Sequence, residues 1–249
     1  MSELALAGKV ALITGAAHRI GAQIARSLHN EGAHIVLHYR RSRAGAESLR
    51  GELEGARPDS VSLVQADLHA IAELPALVEG IRQQSGGLDI LVNNASSFYP
   101  TYLGEVTEQQ WDDLIGSNLK GPFFLSQEAA PLLAERYGCI VNIVDIHGER
   151  PMKGYPVYSM AKAGVAMMTL ALARELAPAV RVNGVAPGAI LWPEQSLDEA
   201  AKREILDRIA LGRPGEPADI ARTVLFLVKD APYITGQIIA VDGGRSIQH

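Results

Sequence analysis

The chain has 249 residues, 47% hydrophobic and 20% charged, which is enough apolar material for one large core in one domain. A formal net charge of -5 argues against a nucleic-acid footprint and against attraction to an anionic membrane surface. The single cysteine, Cys139, excludes an internal disulfide, and the first residues lack the basic start, long apolar stretch and cleavage site of a secretion signal, so a reducing, cytoplasmic location is expected.

Short β-type runs alternate with helix-length stretches almost from end to end. A first strand over 10–13 leads through Thr14-Gly15-Ala16-Ala17-His18-Arg19-Ile20-Gly21 into a helix over 20–31. Amides at such a helix start point at an anion, and glycine lets the backbone approach it, which makes this turn a phosphate-site candidate. A second strand over 34–39 ends in Tyr39-Arg40-Arg41-Ser42. An NAD site places Asp or Glu here to grip the ribose 2′-hydroxyl. This chain has no acid between Glu31 and Glu47. Two guanidinium groups and a hydroxyl suit a 2′-phosphate instead, so NADPH is the expected cofactor. A helix over 44–57 and a third strand over 61–65 bring Asp67-Leu68 to where an acid could meet an adenine.

A helix over 75–84 and a strand over 90–92 lead into Asn93-Asn94-Ala95-Ser96-Ser97-Phe98-Tyr99-Pro100. One long helix is expected over 109–136. A fifth strand over 140–144 carries Asp145 just past its end, and Cys139 before it reads as a small buried residue. A helix over 157–176 places Tyr158 and Lys162 at i and i+4, on one face. A phenol titrating at about 10 is a poor acid or base at neutral pH, and a nearby ammonium would lower that value. The most apolar run, 164–173, is too short to span a bilayer. A strand over 181–185 precedes an excursion over about 187–211, with Pro187-Gly188 and Trp192-Pro193 and then a polar helix-like stretch, expected to form a substrate loop. A helix over 217–228 and a strand over 238–241 complete the pattern. It predicts an α/β, Rossmann-like, doubly wound parallel sheet in a single domain over 1–249. No metal site is expected.

Taken together and in order, Thr14-Gly15…Gly21, Asn93-Asn94-Ala95, Asn118, Tyr158-Ser159-Met160-Ala161-Lys162, Asn183-Gly184-Val185-Ala186-Pro187-Gly188 and Val241-Asp242-Gly243-Gly244 resemble the short-chain dehydrogenase/reductase family over nearly the whole chain. The resemblance implies Tyr158 and Lys162 as an acid–base pair, with Asn118 in the proton relay behind Lys162. It also implies cofactor contacts from Gly15, His18, Arg19, Ile20, Tyr39, Arg40, Arg41, Ser42, Asp67, Leu68, Asn94, Ala95, Ser96, Tyr158, Lys162, Pro187 and Gly188.

Three departures distinguish this chain within the family pattern. Arg19 replaces a turn glycine. Ser96 and Phe98 follow the Asn-Asn-Ala. Asp145 stands where carbonyl reductases place a Ser. A Ser hydroxyl donates to a ketone oxygen, whereas an ionised Asp only accepts, so Asp145 suits a ring N–H, or serves as a proton source for an imine nitrogen. These departures coincide in the pteridine reductases. That resemblance implies a pterin between nicotinamide and Phe98, contacted by Arg19, Ser96, Asp145 and Tyr158, with Asp145, Tyr158 and Lys162 as the catalytic set. It further implies a homotetramer, with the tail Arg245-Ser246-Ile247-Gln248-His249 near a neighbour's site. A reductase of 3-oxoacyl or other ketones is the competing enzyme. A non-catalytic NADPH-binding sensor is the competing class, against which the intact Tyr158, Lys162 and Asn118 speak.

Overall fold

Seven parallel strands form one sheet: β1 (Val10–Ile13), β2 (His34–Tyr39), β3 (Val61–Gln65), β4 (Ile90–Asn93), β5 (Cys139–Ile143), β6 (Arg181–Pro187) and β7 (Ile238–Val241). The computed structural model describes residues 4–190 and 199–247. The spatial order is β3-β2-β1-β4-β5-β6-β7. The chain winds outward from β1 on one side and resumes at β4 on the other. The switch point therefore lies between β1 and β4, and ligands of such sheets bind outside the carboxyl ends there.

The helices are α1 (Arg19–Asn30), α2 (Arg43–Ala56), α3 (Leu74–Ser85), α4 (Glu108–Ile115), α5 (Gly121–Glu135), α6 (Pro156–Leu176), α7 (Glu199–Asp207) and α8 (Pro217–Lys229). All four residues of β1 are buried, which is why its run is continuous rather than alternating. Its two faces feed two cores. Ala11 and Ile13 pack with Ile24 and Leu28 of α1 and with Val224 of α8. Val10 and Leu12 pack with Leu77 of α3, Leu125 of α5 and Leu172 of α6.

The helix expected over 109–136 is interrupted. A capping box starts α4, with Gln110 N donating to Thr107 Oγ1 at 3.2 Å and Thr107 N to Gln110 Oε1 at 3.0 Å. A π-turn, Gly116–Lys120, then separates α4 from α5. Two contacts explain it. The His69 ring lies against Gly116, where a side chain has no room. Asn118 Nδ2 donates to Leu114 O at 2.9 Å, competing for a helical acceptor. Turns of this kind recur at functional sites.

The apolar run 164–173 lies inside α6, which matches the helix expected over 157–176. By length and composition α6 could cross a bilayer, yet 56% of its apolar window is buried inside the protein, with Val165, Met168 and Leu172 in the core. Cys139 is buried, as expected. The excursion after β6 contains α7. Its residues Leu191, Trp192 and Pro193 lie outside the described residues, as do Gln248 and His249 of the tail.

Candidate active site

Thr14, at the end of β1, closes the switch point. Its Oγ1 donates to Val92 O at 3.3 Å and accepts from the amides of Asn94 at 2.9 Å and Ala95 at 3.0 Å. That saturates one hydroxyl. Gly15 follows at φ 62°, and a Cβ there would come within 2.9 Å of Ala95 Cα. Only glycine fits this turn. Asn94 Nδ2 holds its carbonyls, Thr14 O at 2.8 Å and Gly15 O at 3.1 Å. Asn93 points elsewhere, into a buried network with Ser126 and Asn142.

Arg19 adopts φ 51°, a conformation that costs a non-glycine residue roughly 1–2 kcal/mol. Such strain is retained where it is used. The Arg19 side chain is exposed, beside a helix start that no side chain caps. His18 is also exposed, with its ring on Gly45 of α2, and Ile20 packs onto the core. Tyr39 is buried against Ala17 and Ala46.

Past β2, Arg40 lies 3.7 Å from Asp67 Oδ1, whereas Arg41 and Ser42 are exposed. Among the described residues, neither Arg19 nor Arg41 has an ion-pair partner. Two free guanidinium groups at the carboxyl edge and uncapped amides at the start of α1 form a donor set that fits a phosphorylated dinucleotide. Partial burial pushes the Asp67 carboxyl up. Hydrogen bonds from the backbone and ring of His69, with the charge of Arg40, outweigh this and leave it below its ordinary value. Leu68 is buried beside it, and Pro187 ends β6, with Gly188 N donating to Val241 O at 3.1 Å.

Asp145 lies just past β5 and caps a short turn. Its Oδ1 accepts from His147 N at 2.8 Å, and its Oδ2 accepts from Tyr158 Oη at 2.8 Å. Both carboxylate oxygens thus serve as acceptors. Tyr158 is buried in the first turns of α6. Sequence reasoning expected Lys162 to lower the Tyr158 pKa; the structure has it raised well above the ordinary value. Burial raises it most, then the Asp145 charge and hydrogen bond, with Ser96 opposing weakly. Lys162 Nζ is 5.7 Å from the Tyr158 ring centroid and donates to Ile143 O at 2.9 Å. Burial brings the Lys162 ammonium down to about 8, against the pull of Asp145. Asn118, buried in the π-turn, accepts from Ser96 Oγ at 2.6 Å and donates to Ser97 O at 3.0 Å. It therefore fastens the loop that carries Ser96 and Phe98, and among the described residues its side chain makes no hydrogen bond with Lys162.

Phe98 is 54% exposed. One face stacks on Tyr155, with centroids 4.7 Å apart and planes at 10°, and it meets Tyr158 edge-on at 4.8 Å. Tyr99, in the same loop, donates to Asp113 Oδ2 at 3.0 Å and anchors it to α4. Three residues near the site escaped sequence reasoning or were read differently there. Tyr155 backs Phe98, and its position three residues before Tyr158 was the available signal. His38 contacts the phosphate turn from β2. Arg245, just after β7, is half-buried, and burial lowers its pKa while the Asp145 charge opposes that shift.

A family model described as enoyl-(acyl carrier protein) reductase matches residues 15–246. The 3-oxoacyl-(acyl-carrier-protein) reductase FabG of Staphylococcus aureus strain N315 is 41% identical over 240 residues, covering 95% of this chain and 97% of that protein. Pteridine reductase 1 of Leishmania tarentolae is 39% identical over 281 residues, covering 96% of each chain. The 3-oxoacyl-(acyl-carrier-protein) reductase FabG of Thermotoga maritima is 39% identical over 246 residues, covering 97% of this chain and 99% of that protein. With this sheet, this switch point and this Tyr–Lys helix, the chain belongs to the short-chain dehydrogenase/reductase family of oxidoreductases.

Proposed function

We propose that this chain is an NADPH-dependent pteridine reductase, acting on an oxidised or dihydro pterin of biopterin, folate or monapterin type. The observation that carries the reading is the 2.8 Å hydrogen bond from Tyr158 Oη to Asp145 Oδ2, beside a half-exposed Phe98. A carbonyl reductase needs donors around a ketone oxygen. Here an acceptor stands beside the acid, as suits a ring nitrogen that carries, or is about to receive, a proton.

When bound, the nicotinamide supplies a hydride to a ring carbon. The chain's own residues handle the proton that the neighbouring nitrogen takes up. Arg19, Arg41 and the first amides of α1 hold phosphates, and Ser96 and the open face of Phe98 orient the ring. Burial and the Asp145 charge favour the protonated Tyr158, so its hydroxyl holds the proton that the ring nitrogen takes up. Its hydroxyl turns from Asp145 Oδ2 to the ring nitrogen and gives up its proton there. A phenolate left beside the Asp145 carboxylate would set like charges together. A proton arriving on Asp145 and passing to Tyr158 Oη removes that conflict. The buried Lys162 ammonium offsets the remaining charge.

A second reading, reduction of a 3-oxoacyl thioester, draws on the names of the S. aureus and T. maritima relatives. NADPH oxidation followed with folate, biopterin and monapterin in oxidised and dihydro forms, and with a 3-oxoacyl thioester and simple ketones, separates the two. Turnover of pterins alone is expected. Turnover of the thioester with none of the pterins would overturn the proposal. The assembly that accompanies this reading is a homotetramer, supported by exposed Phe123 on α5 and by Met160, Met167 and Leu170 on one face of α6. A solution mass of about four times 26.6 kDa is its test.

A further inference from the structure

We infer that His38 is a positioning residue for the dinucleotide site, gripping two successive amides of the phosphate turn and joining that turn to the loop on the far side of β2. The inference rests on the dinucleotide reading above and adds a residue to it.

His38 is the penultimate residue of β2, between β1 and β3 in the sheet, and is 2% exposed. Its ring Nδ1 accepts from Gly15 N at 3.2 Å, and its main-chain O accepts from Ala16 N at 3.0 Å. Its Nε2 lies 3.1 Å from Ala66 O, next to Asp67. A carbonyl only accepts and an amide only donates, so one tautomer satisfies both ring contacts: neutral imidazole with its proton on Nε2. Burial supports that state by bringing His38 down to about 4. An imidazolium would turn an N–H toward the Gly15 N–H.

The grip is directional. Asn94 holds the carbonyls of Thr14 and Gly15 from the β4 side, and His38 holds the amides of Gly15 and Ala16 from the β2 side. With Ala95 against Gly15, the first half of the turn is clamped on three sides. The amides at the start of α1 stay free for an anion. Through Ala66, the same ring sets the phosphate turn at a fixed distance from the Asp67-Leu68 loop, so both ends of the nucleotide site are registered against one side chain.

Three variants separate the contacts. His38→Asn keeps an acceptor near the Nδ1 position. His38→Gln places an amide near the Nε2 position and loses the Gly15 contact. His38→Phe keeps the ring and loses both. NADPH Kd is measured by titration, together with KM for NADPH, kcat and melting temperature. The Asn variant should bind within about threefold of wild type, and the Gln and Phe variants should weaken NADPH by about tenfold or more, the scale of one lost hydrogen bond to a buried donor. KM for NADPH should rise with Kd while kcat at saturation holds. Should the Phe variant fail to fold, the Asn and Gln pair still decides. Wild-type affinity in the Gln variant, or losses in all variants that follow melting temperature alone, would overturn the assignment and leave His38 as packing. A wild type that binds neither NADPH nor NADH overturns the dinucleotide reading itself. Binding of NADH alone overturns only the cofactor choice, and the same series is then read with NADH.

Discussion

Replacing Asp145 by Ser restores the residue that carbonyl reductases carry and removes the feature that separates this site from theirs. Of the three influences that raise the Tyr158 pKa, two come from Asp145 and burial remains. The Asp145→Ser variant should therefore have a more acidic Tyr158 and no carboxyl from which to reprotonate it. A hydrogen bond to a charged group contributes about 1.5–3 kcal/mol, so losing the 2.8 Å contact alone is worth about ten- to a hundredfold in the step that uses it. Reduction of an oxidised pterin should fall by that factor, and reduction of a dihydropterin by less. Activity on a simple ketone should rise, because Ser can donate to the oxygen. The fold should survive, since Ser is itself a good cap for the turn that Asp145 now caps through His147 N. Asp145 is the route by which the phenolate left on Tyr158 regains its proton, so the wild-type rate on oxidised pterins should exceed the variant's across the pH range. Initial rates of NADPH oxidation with all three substrates across pH decide the matter. A variant that reduces oxidised pterins like wild type at every pH refutes the relay and removes the main support for the pterin reading.

Other expectations are narrower. Arg41→Ala should lower the preference for NADPH over NADH by about ten- to a hundredfold in Kd, the value of a charge-assisted phosphate contact, and equal losses for both would refute the 2′-phosphate role. Tyr158→Phe should cut turnover at least about a hundredfold while NADPH binding persists, whereas near-normal turnover would assign protonation to another group. Phe98→Ala should weaken pterin binding by about 1–3 kcal/mol with little change in NADPH affinity, and Tyr155→Leu, which removes its backing ring, should weaken it by less. His38 has a folded value of about 4 against an ordinary 6.5, so the unfolded chain binds the extra proton between those values. Its contribution to stability is intact above pH 6.5 and declines as pH falls toward 4, by up to about 3 kcal/mol. Urea midpoints for wild type and His38→Asn should converge over that window, and parallel curves would refute the linkage.

Strand positions were legible because both faces of the sheet are covered, which writes each strand as an uninterrupted apolar run between helix-length stretches. The π-turn was not legible. Its causes are tertiary: the His69 ring against Gly116, and Asn118 reaching Leu114 O and the Ser96–Ser97 loop. No local pattern records that a ring from the β3 side will occupy the space of a helical side chain. Arg19 illustrates the opposite case. Its departure from the family glycine was visible in the sequence, and the backbone kept the glycine conformation at φ 51° beneath it.

Tyr158 shows where motif reasoning stops. The spacing to Lys162 is a statement about which residues share a helix face, and it held. The direction of the shift depends on which charge lies nearer the hydroxyl, and spacing is silent on that. Asp145 Oδ2 is 2.8 Å from the Tyr158 oxygen, while the ammonium lies 5.7 Å from the ring centroid and spends a hydrogen bond on Ile143 O. The carboxylate acts directly on the hydroxyl through its charge and its hydrogen bond, and both add to burial in raising the Tyr158 pKa. The pair that looks like a phenolate stabiliser in sequence sits, in this fold, beside a carboxylate that favours the protonated phenol. Burial is the largest part of that inversion, and Asp145, past the end of β5, adds a charge that a Ser in that place would not.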